Sequence, residues 1–359
     1  MTAPVYRKLA TVLDTLPNGF PATPDVLELK LLQKVFTEEE AELFCDLKLT
    51  PETAPQIAER TGRPLEGLEE RLTSMTRRGE LLGVELAGTR LFAMMPWVVG
   101  IYEFQISRMD REFCELCEEY ARYLGPQLLG YQPHVMQSVP VNQQITARQE
   151  ALPYVQVASI IEQGQAFRVN QCICKKERGL LDSPCKKPTE VCLSISPIPN
   201  ADFIFEWGRP ISREQAYQLL RDAEDAGLVH LTSNVGSGHT FICNCCGCCC
   251  GVLRPMNEFG VTGVINSRFY AEIDPDTCDN CGVCVAERCQ VAAIEQGDIT
   301  HQVIKARCIG CGLCVPTCPT EAIKLLSKPP EEIVPPPASQ QEWNEERARA
   351  RGTDYSAYK

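Results

Sequence analysis

Eight cysteines in the C-terminal third of the sequence form two copies of one spacing, and this duplication constrains the fold more than any other feature. The first copy is Cys-x2-Cys-x2-Cys with a fourth cysteine after four residues, and the second ends in Cys-Pro after three. Ala293-Ile294 follows the first copy as Ala322-Ile323 follows the second, so we expect equivalent core positions. The ligand candidates are Cys278, Cys281, Cys284, Cys289, Cys308, Cys311, Cys314 and Cys318.

This spacing favours iron-sulfur chemistry. A Cys-x2-Cys-x2-Cys turn wraps three thiolates around one face of a cubane while backbone N–H groups point at the sulfurs. Two zinc sites are the alternative, because Cys-x2-Cys pairs also bind zinc. Zinc motifs usually separate two such pairs by a longer loop, and they rarely end in Cys-Pro. The pattern therefore predicts two [4Fe-4S] clusters.

The duplicated motif resembles that of bacterial two-cluster ferredoxins, in which the fourth ligand comes from the other repeat. The resemblance implies one cluster on Cys278, Cys281, Cys284 and Cys318, and a second cluster on Cys308, Cys311, Cys314 and Cys289. The first copy departs from the family pattern, because it has one extra residue before Cys289 and Gln290 replaces the usual proline.

Ten further cysteines lie upstream, more than one metal ion or one cubane uses. They predict one or two additional iron-sulfur clusters. Adjacent cysteines in an extended segment project to opposite sides, so we expect two centres to share the segment. A non-cubane cluster of the heterodisulfide-reductase-like type is an alternative for Cys245-Cys246-Gly247. The ten are Cys172, Cys174, Cys185, Cys192, Cys243, Cys245, Cys246, Cys248, Cys249 and Cys250.

From about residue 155 to 326 the sequence resembles a family of multi-cluster iron-sulfur proteins of anaerobic bacteria. The motifs that carry the resemblance are the Gln171-Cys-Ile-Cys segment, the Cys243-Asn-Cys-Cys-Gly-Cys-Cys-Cys segment and the ferredoxin repeat. The resemblance implies an electron-transfer subunit that works beside larger redox enzymes.

Several other side chains are weaker candidates. Five cations lie near the first cysteines. They either raise the reduction potential of the clusters or form a docking face for the acidic ferredoxin unit, and the alternative is an ordinary solvated loop. Packed free thiols are expected at Cys45 and in the Cys114-x2-Cys117 pair, and His239 is not needed as a ligand. The cations are Lys175, Lys176, Arg178, Lys186 and Lys187.

The sequence predicts an α+β multidomain fold. We expect a winged-helix-like domain over 1–100, a long helix and connector over 101–153, a Cys-rich domain over 154–267, a ferredoxin-like domain over 268–327 and an extended tail over 328–359. The winged-helix interpretation rests on short helices from Asp25 onward followed by a hairpin with Gly88 at its turn. The long helix is predicted over Tyr102–Leu124 and a second helix over Ser212–Ala226.

Composition limits the partners. Eighteen of the 21 cysteines lie between Cys172 and Cys318, which favours metal ligation over disulfides. The net charge of -12 disfavours nucleic acid and suits basic faces of redox partners. The sequence has no apolar run of about 18 residues and no secretory signal at its start, so we expect a cytoplasmic protein without a membrane span.

These patterns predict an electron-transfer protein that relays electrons to or from redox enzyme subunits or carriers. No nucleotide-binding glycine loop or catalytic triad is present, so substrate chemistry is expected in a partner. The alternative is a redox-sensing transcription regulator that uses the winged helix. From Asp25 to Pro96 there are 14 acidic and 9 basic residues. This balance disfavours DNA binding and favours a protein-docking role.

Overall fold

The structure, a computed structural model, describes residues 3–141, 157–198, 202–203 and 208–359. The predicted connector lies outside these residues from position 142 to its end at about Pro153. Within the described chain the strands form four sheets that are combined with helices, which confirms the α+β class.

The N-terminal part contains five helices followed by a hairpin, in the predicted order. Thr37 and Thr53 each begin a helix with a capping box that satisfies the first free backbone N–H groups. Ala87 and Gly88 both have positive φ, as a tight two-residue hairpin turn requires. The elements are α1 (Pro4–Thr15), α2 (Leu27–Val35), α3 (Glu38–Phe44), α4 (Ala54–Thr61), α5 (Leu68–Arg77), β1 (Leu82–Leu86) and β2 (Thr89–Ala93).

Element order alone does not establish a winged helix, which stays a prediction. The hairpin does have a neighbour within the chain. Strand β1 pairs on its free edge with β6 (Asp202–Phe203), which comes from the predicted Cys-rich domain. The hairpin is therefore joined to the rest of the molecule by backbone hydrogen bonds.

The predicted continuous helix over Tyr102–Leu124 is wrong at its start. The chain forms a short turn, α6 (Tyr102–Phe104), and the long helix α7 (Arg111–Leu129) begins only later. The carboxylate of Asp110 accepts a hydrogen bond from the Phe113 N–H at 2.7 Å, so Asp110 is the N-cap. The capping residue fixes the start of the helix.

A six-stranded antiparallel sheet forms the centre of the molecule, in the order β3-β8-β9-β5-β4-β7. Helices α8 and α10 pack against it, and α10 matches the helix predicted over Ser212–Ala226. Strand β3 belongs to the predicted connector, so this sheet extends beyond the predicted domain 154–267. The elements are β3 (Met136–Ser138), α8 (Val157–Gln163), β4 (Ala166–Gln171), α9 (Ile173–Leu180), β5 (Glu190–Ser196), β7 (Arg209–Ile211), α10 (Arg213–Asp225), β8 (Val229–Ser233), β9 (Phe241–Cys245) and α11 (Arg254–Glu258).

The duplicated motif folds as two similar halves. Strand β10 pairs with β13 and β11 pairs with β12, both antiparallel. Ala293-Ile294 and Ala322-Ile323 are buried in both halves, which confirms their predicted core positions. The strands are β10 (Phe269–Ile273), β11 (Ile294–Glu295), β12 (Gln302–Val303) and β13 (Ile323–Ser327).

The tail differs from the predicted extended arm, because it folds back as α12 (Gln340–Arg351). The Trp343 indole N–H donates to the His134 carbonyl at 2.8 Å, and the Arg351 guanidinium donates to the Leu16 carbonyl at 2.6 Å. Arg347 is fully buried among backbone carbonyls at the end of α7. The tail therefore contacts both the N-terminal helices and the central part of the chain.

Candidate metal centres

One cavity in the C-terminal unit is lined by cysteines from both repeats. Cys308, Cys311 and Cys314 of the second repeat surround it together with Cys289 of the first. The other wall is mostly apolar, with side chains such as Ile309. These four thiols are the set that the ferredoxin resemblance implies for one cubane, and an apolar wall limits the access of water to a cluster.

The other implied set lies beside this cavity. Cys284 is buried in the same apolar cluster as Cys314, and Cys318 packs against that cluster. Cys281 is exposed, so this end of the unit faces solvent. The His301 backbone N–H lowers the pKa of the Cys278 thiol, which favours the thiolate that a metal needs.

The extra residue before Cys289 is accommodated by a π-helical turn. Cys284–Arg288 closes with a hydrogen bond from the Cys289 N–H to the Cys284 carbonyl at 3.0 Å. In the second repeat the Cys318 N–H instead reaches the Val315 carbonyl, three residues back. A π-turn takes one more residue per turn than an α-turn, so Cys289 still reaches the cavity.

Backbone N–H groups point at the sulfur atoms of this cavity. The Ala293 N–H donates to Cys289 Sγ at 3.1 Å, and the Ala271 N–H donates to Cys308 Sγ at 3.4 Å. Such donors stabilise thiolate charge and the reduced state of a bound cluster.

The ten upstream cysteines divide into two groups. The first group is compact, and its four sulfur atoms all lie within 4.8 Å of one another. The sulfur of Cys248 lies 3.8 Å from that of Cys185, 3.4 Å from that of Cys246 and 3.6 Å from that of Cys249. These four thiols form a candidate metal site, which we call the four-cysteine site.

The remaining six thiols form a row of neighbours, which we call the six-cysteine row. Hydrogen bonds link successive thiols, and those with Cys192 and Cys245 lower the pKa of Cys243 to about 5. Cys192 lies in β5, Cys243 and Cys245 lie in the adjacent strand β9, and Cys172 directly follows β4. The row runs in the order Cys174, Cys172, Cys192, Cys243, Cys245 and Cys250.

The expectation for adjacent cysteines is confirmed in one place and wrong in another. Cys245 ends strand β9 and belongs to the row, whereas Cys246 belongs to the four-cysteine site. Cys248 and Cys249 both belong to the four-cysteine site, because the chain turns there and the Cys250 N–H bonds back to the Cys246 carbonyl. A turn lets neighbouring side chains converge where a strand separates them.

Gln290, which stands where the family has proline, joins the ferredoxin unit to the cysteine-rich turn. Its side-chain oxygen accepts a hydrogen bond from the Gly247 N–H at 3.1 Å. The Asn257 amide donates to the Gln290 and Gly247 carbonyls. The missing proline was the only sequence signal for this contact, and Asn257 had none.

Most of the predicted basic cluster binds carbonyls or carboxylates of the same chain. Lys175 is buried and donates to the Pro188 carbonyl, Lys176 donates to the Ile106 carbonyl, and Lys187 donates to the Ala226 carbonyl. Arg178 lies 3.7 Å from the carboxylate of Glu118. These cations hold the cysteine-bearing loops in place. This role was not among those predicted from the sequence, which were tuning or docking and a solvated loop.

Two buried carboxyl groups near the row had no sequence signal. Burial raises the pKa of Glu103 to about 8, and the Gly100 N–H donates to its carboxylate at 2.7 Å. Burial also raises the pKa of Glu177 to about 7, and Tyr102 donates its hydroxyl to this carboxylate. Both groups are thus poised to hold a proton near neutral pH.

The lesser candidates lie outside both groups. Cys114 and Cys117 are buried on α7, where burial raises the pKa of Cys114 to about 12, and Cys45 is buried in the N-terminal core. These fit the predicted packed thiols. Burial lowers the pKa of His239 to about 4, and its Nδ1 lies 3.2 Å from the Thr232 hydroxyl.

Comparisons with known proteins support the iron-sulfur assignment of the C-terminal unit. The model of the 4Fe-4S binding domain matches residues 301–324. An uncharacterized ferredoxin from Methanocaldococcus jannaschii is 33% identical over 89 residues, which are 24% of this chain and 52% of the relative. The chain therefore spans about half the length of that relative. No solved structure matches the chain.

The matched domain means that the chain carries an iron-sulfur domain of the ferredoxin type with at least one [4Fe-4S] cluster. Among the described helices, none is both long and apolar enough to cross a bilayer.

Proposed function

We propose that this chain is a multi-cluster electron-transfer protein that relays electrons to or from a larger redox enzyme. The observation that carries the proposal is the contact between the six-cysteine row and the ferredoxin cavity. Cys245 and Cys250 of the row are buried in the apolar cluster against which Cys289, Cys308 and Cys311 pack. Cluster-bearing cysteines that share one core bring their cofactors close enough for electrons to pass.

The ligand sets follow the crossed pattern. Cys278, Cys281, Cys284 and Cys318 hold the first [4Fe-4S] cluster, and Cys289, Cys308, Cys311 and Cys314 hold the second. The row supplies one further iron-sulfur centre, since one cubane needs four of its six thiols. The exposed Cys281 makes the first cluster the exchange point with a partner, and the row is the inner end of the path.

The chemical reaction on the substrate takes place in the partner enzyme. The clusters carry electrons, and this chain supplies their spacing, burial and hydrogen bonds. The ferredoxin name of the matched relative is consistent with this division.

The N-terminal helices and hairpin serve in protein docking in this proposal. Arginines that a DNA reader would present to phosphates are paired with carboxylates of the same region. Arg78 binds Glu80 at 2.8 Å, and Arg71 lies 3.2 Å from Glu39. A gel-shift assay with promoter DNA tests the regulator alternative, and sequence-specific binding that depends on redox state would favour it.

A potentiometric EPR titration of the anaerobically purified full-length chain tests the electron-transfer proposal. We expect about eight iron and eight sulfide from the ferredoxin unit and additional iron from the row. Cys308→Ser should remove one ferredoxin signal, and Cys192→Ser should remove only the signal of the row. Cys45→Ser is the matched control and should leave all signals unchanged.

Zinc in place of iron in the ferredoxin unit would overturn the proposal. So would clusters that cannot be reduced anywhere between about -700 and +450 mV, the range of protein iron-sulfur centres.

A further inference from the structure

We propose that the four-cysteine site binds a single zinc ion and that this ion is structural. In a tetrahedral zinc site each Zn–S bond is about 2.3 Å, which sets the edge between sulfur atoms at about 3.8 Å. The sulfur atoms of Cys185 and Cys246 lie 3.7 Å apart, and those of Cys185 and Cys248 lie 3.8 Å apart. The spacing of the four thiols fits one metal ion held between them.

An iron-sulfur cubane needs a wider site. Each of its thiolates binds a different iron, so the four cysteine sulfurs stand at the outer corners of the cluster. Within residues 3–141, 157–198 and 208–359, no other three Cys, His, Asp or Glu side chains bring their ligand atoms within 4.8 Å of one another. No three of the proposed iron-sulfur ligands in the row or the ferredoxin unit therefore converge as the thiols of the four-cysteine site do.

The surroundings suit a thiolate metal centre of net negative charge. The Lys187 backbone N–H donates to Cys185 Sγ at 3.4 Å, and such hydrogen bonds stabilise a metal-bound thiolate. Lys175 is buried with 3% exposure, and its charge interacts with Cys246. The charge of Lys175 offsets part of the charge of four thiolates on one divalent ion.

The four thiols join two separate parts of the chain. Cys185 follows α9, and the other three lie on the turn after β9. That turn also carries Gly247, whose N–H donates to the Gln290 side chain of the ferredoxin unit and whose carbonyl accepts from Asn257 on α11. A zinc ion has no redox chemistry, so its role here is structural. It holds the segment after α9 against the turn after β9, which borders both the row and the ferredoxin unit. It also accounts for the number of upstream thiols, since six remain for iron.

Zinc is preferred over ferrous iron at such a site. Affinity for divalent first-row metals is lower for Fe²⁺ than for Zn²⁺, and a closed tetrahedral set of four thiolates suits zinc. Three of the four cysteines are at least half-buried, and only Cys248 is exposed.

Metal analysis of the full-length chain, expressed and purified anaerobically in iron-rich medium without added zinc, tests the proposal. We expect one zinc per chain in addition to iron. Cys248→Ser removes the exposed ligand, and after dialysis against EDTA its zinc content should fall at least tenfold while iron and sulfide stay unchanged. Cys45→Ser should keep both metals, and Cys192→Ser should lose iron but retain zinc.

X-ray absorption at the zinc edge of the wild-type protein gives a second measurement that needs no variant. Four sulfur neighbours at about 2.3 Å support the assignment. A wild-type chain without zinc, or a Cys248→Ser chain that loses about four iron and four sulfide, would overturn it. A single sulfide-free iron at these cysteines would overturn it as well. The iron of the ferredoxin unit is measured in the same samples, so failure of the zinc proposal and failure of the electron-transfer proposal are distinguishable.

Discussion

Replacing Arg347 with alanine should release helix α12 from the rest of the molecule. The guanidinium is fully buried and donates to the carbonyls of Gln127 at 3.1 Å, Leu128 at 2.6 Å and Pro133 at 2.9 Å. It also donates to the carbonyl of Tyr131. These are free carbonyls at and after the end of α7, where a positive charge is favourable.

The cost of the substitution follows from those four carbonyls. Each buried carbonyl that loses its partner costs about 1–3 kcal/mol, and water entering the space left by the side chain satisfies some of them. We therefore expect the docking of α12 to weaken by about 3–5 kcal/mol. At about 1.4 kcal/mol per factor of ten, this means an open population that is larger by about a hundredfold to several thousandfold.

Hydrogen exchange measured by mass spectrometry under anaerobic conditions reports this opening directly. Amides of α12 in Arg347→Ala should exchange at least about a hundredfold faster than in the wild type. The control is Arg349→Ala on the same helix, where the side chain is exposed and the effect should stay within about 0.5 kcal/mol. Unchanged protection of α12 in Arg347→Ala, or equal acceleration in both variants, would refute the reasoning.

Three further predictions concern the interior. Gln290→Leu removes the acceptor of the Gly247 N–H, so the free energy of unfolding measured by urea titration should fall by about 1–3 kcal/mol, whereas Gln340→Leu on the exposed face of α12 should change it little. Gly247→Ala would place a Cβ 2.0 Å from the Gln290 carbonyl oxygen, so limited proteolysis should cut faster near the cysteine-rich turn; equal rates would contradict this contact. The folded pKa of Glu177 is about 7, above its usual 4.5, so its neutral form is favoured in the fold and the stability it contributes is lost as pH rises from 4.5 through 7. Glu177→Gln should therefore show a smaller loss of melting temperature between pH 5 and pH 8 than the wild type, and identical pH profiles would contradict the assignment.

The sequence was most informative where the spacing repeats. The two copies of the cysteine motif, with Ala293-Ile294 and Ala322-Ile323 behind them, predicted the paired halves and their core because local spacing and duplication carry that information. Apolar residues at helical spacing likewise predicted the helices from Asp25 onward, and the turn at Gly88 predicted the hairpin, whereas α1 was not predicted.

Long-range contacts were not readable from the sequence. The segment 328–359 has few apolar residues, so composition suggested an extended arm. Trp343 and Arg347 are nevertheless buried, because carbonyls far away in the chain accept their hydrogen bonds. Local composition does not encode a partner more than 200 residues distant.

The division of the ten upstream cysteines also depended on three-dimensional structure. The sequence offered no reason to separate Cys185 from Cys192, or to group Cys245 with Cys250. Strand pairing and the turn at Gly247 decide which thiols converge. The π-turn at Cys284–Arg288 in the ferredoxin unit differs from these contacts, because the one-residue insertion that it accommodates before Cys289 is visible in the sequence.

The C-terminal tail packs against the N-terminal helices, and this contact limits the order in which the chain folds during synthesis. Arg351 and Tyr358 follow every cysteine in the sequence, and they bind Leu16 and Leu49 near the other end of the chain. Domains fold as they leave the ribosome, beginning at the N-terminus. The tail can therefore close over the N-terminal helices only after all the thiols have been made.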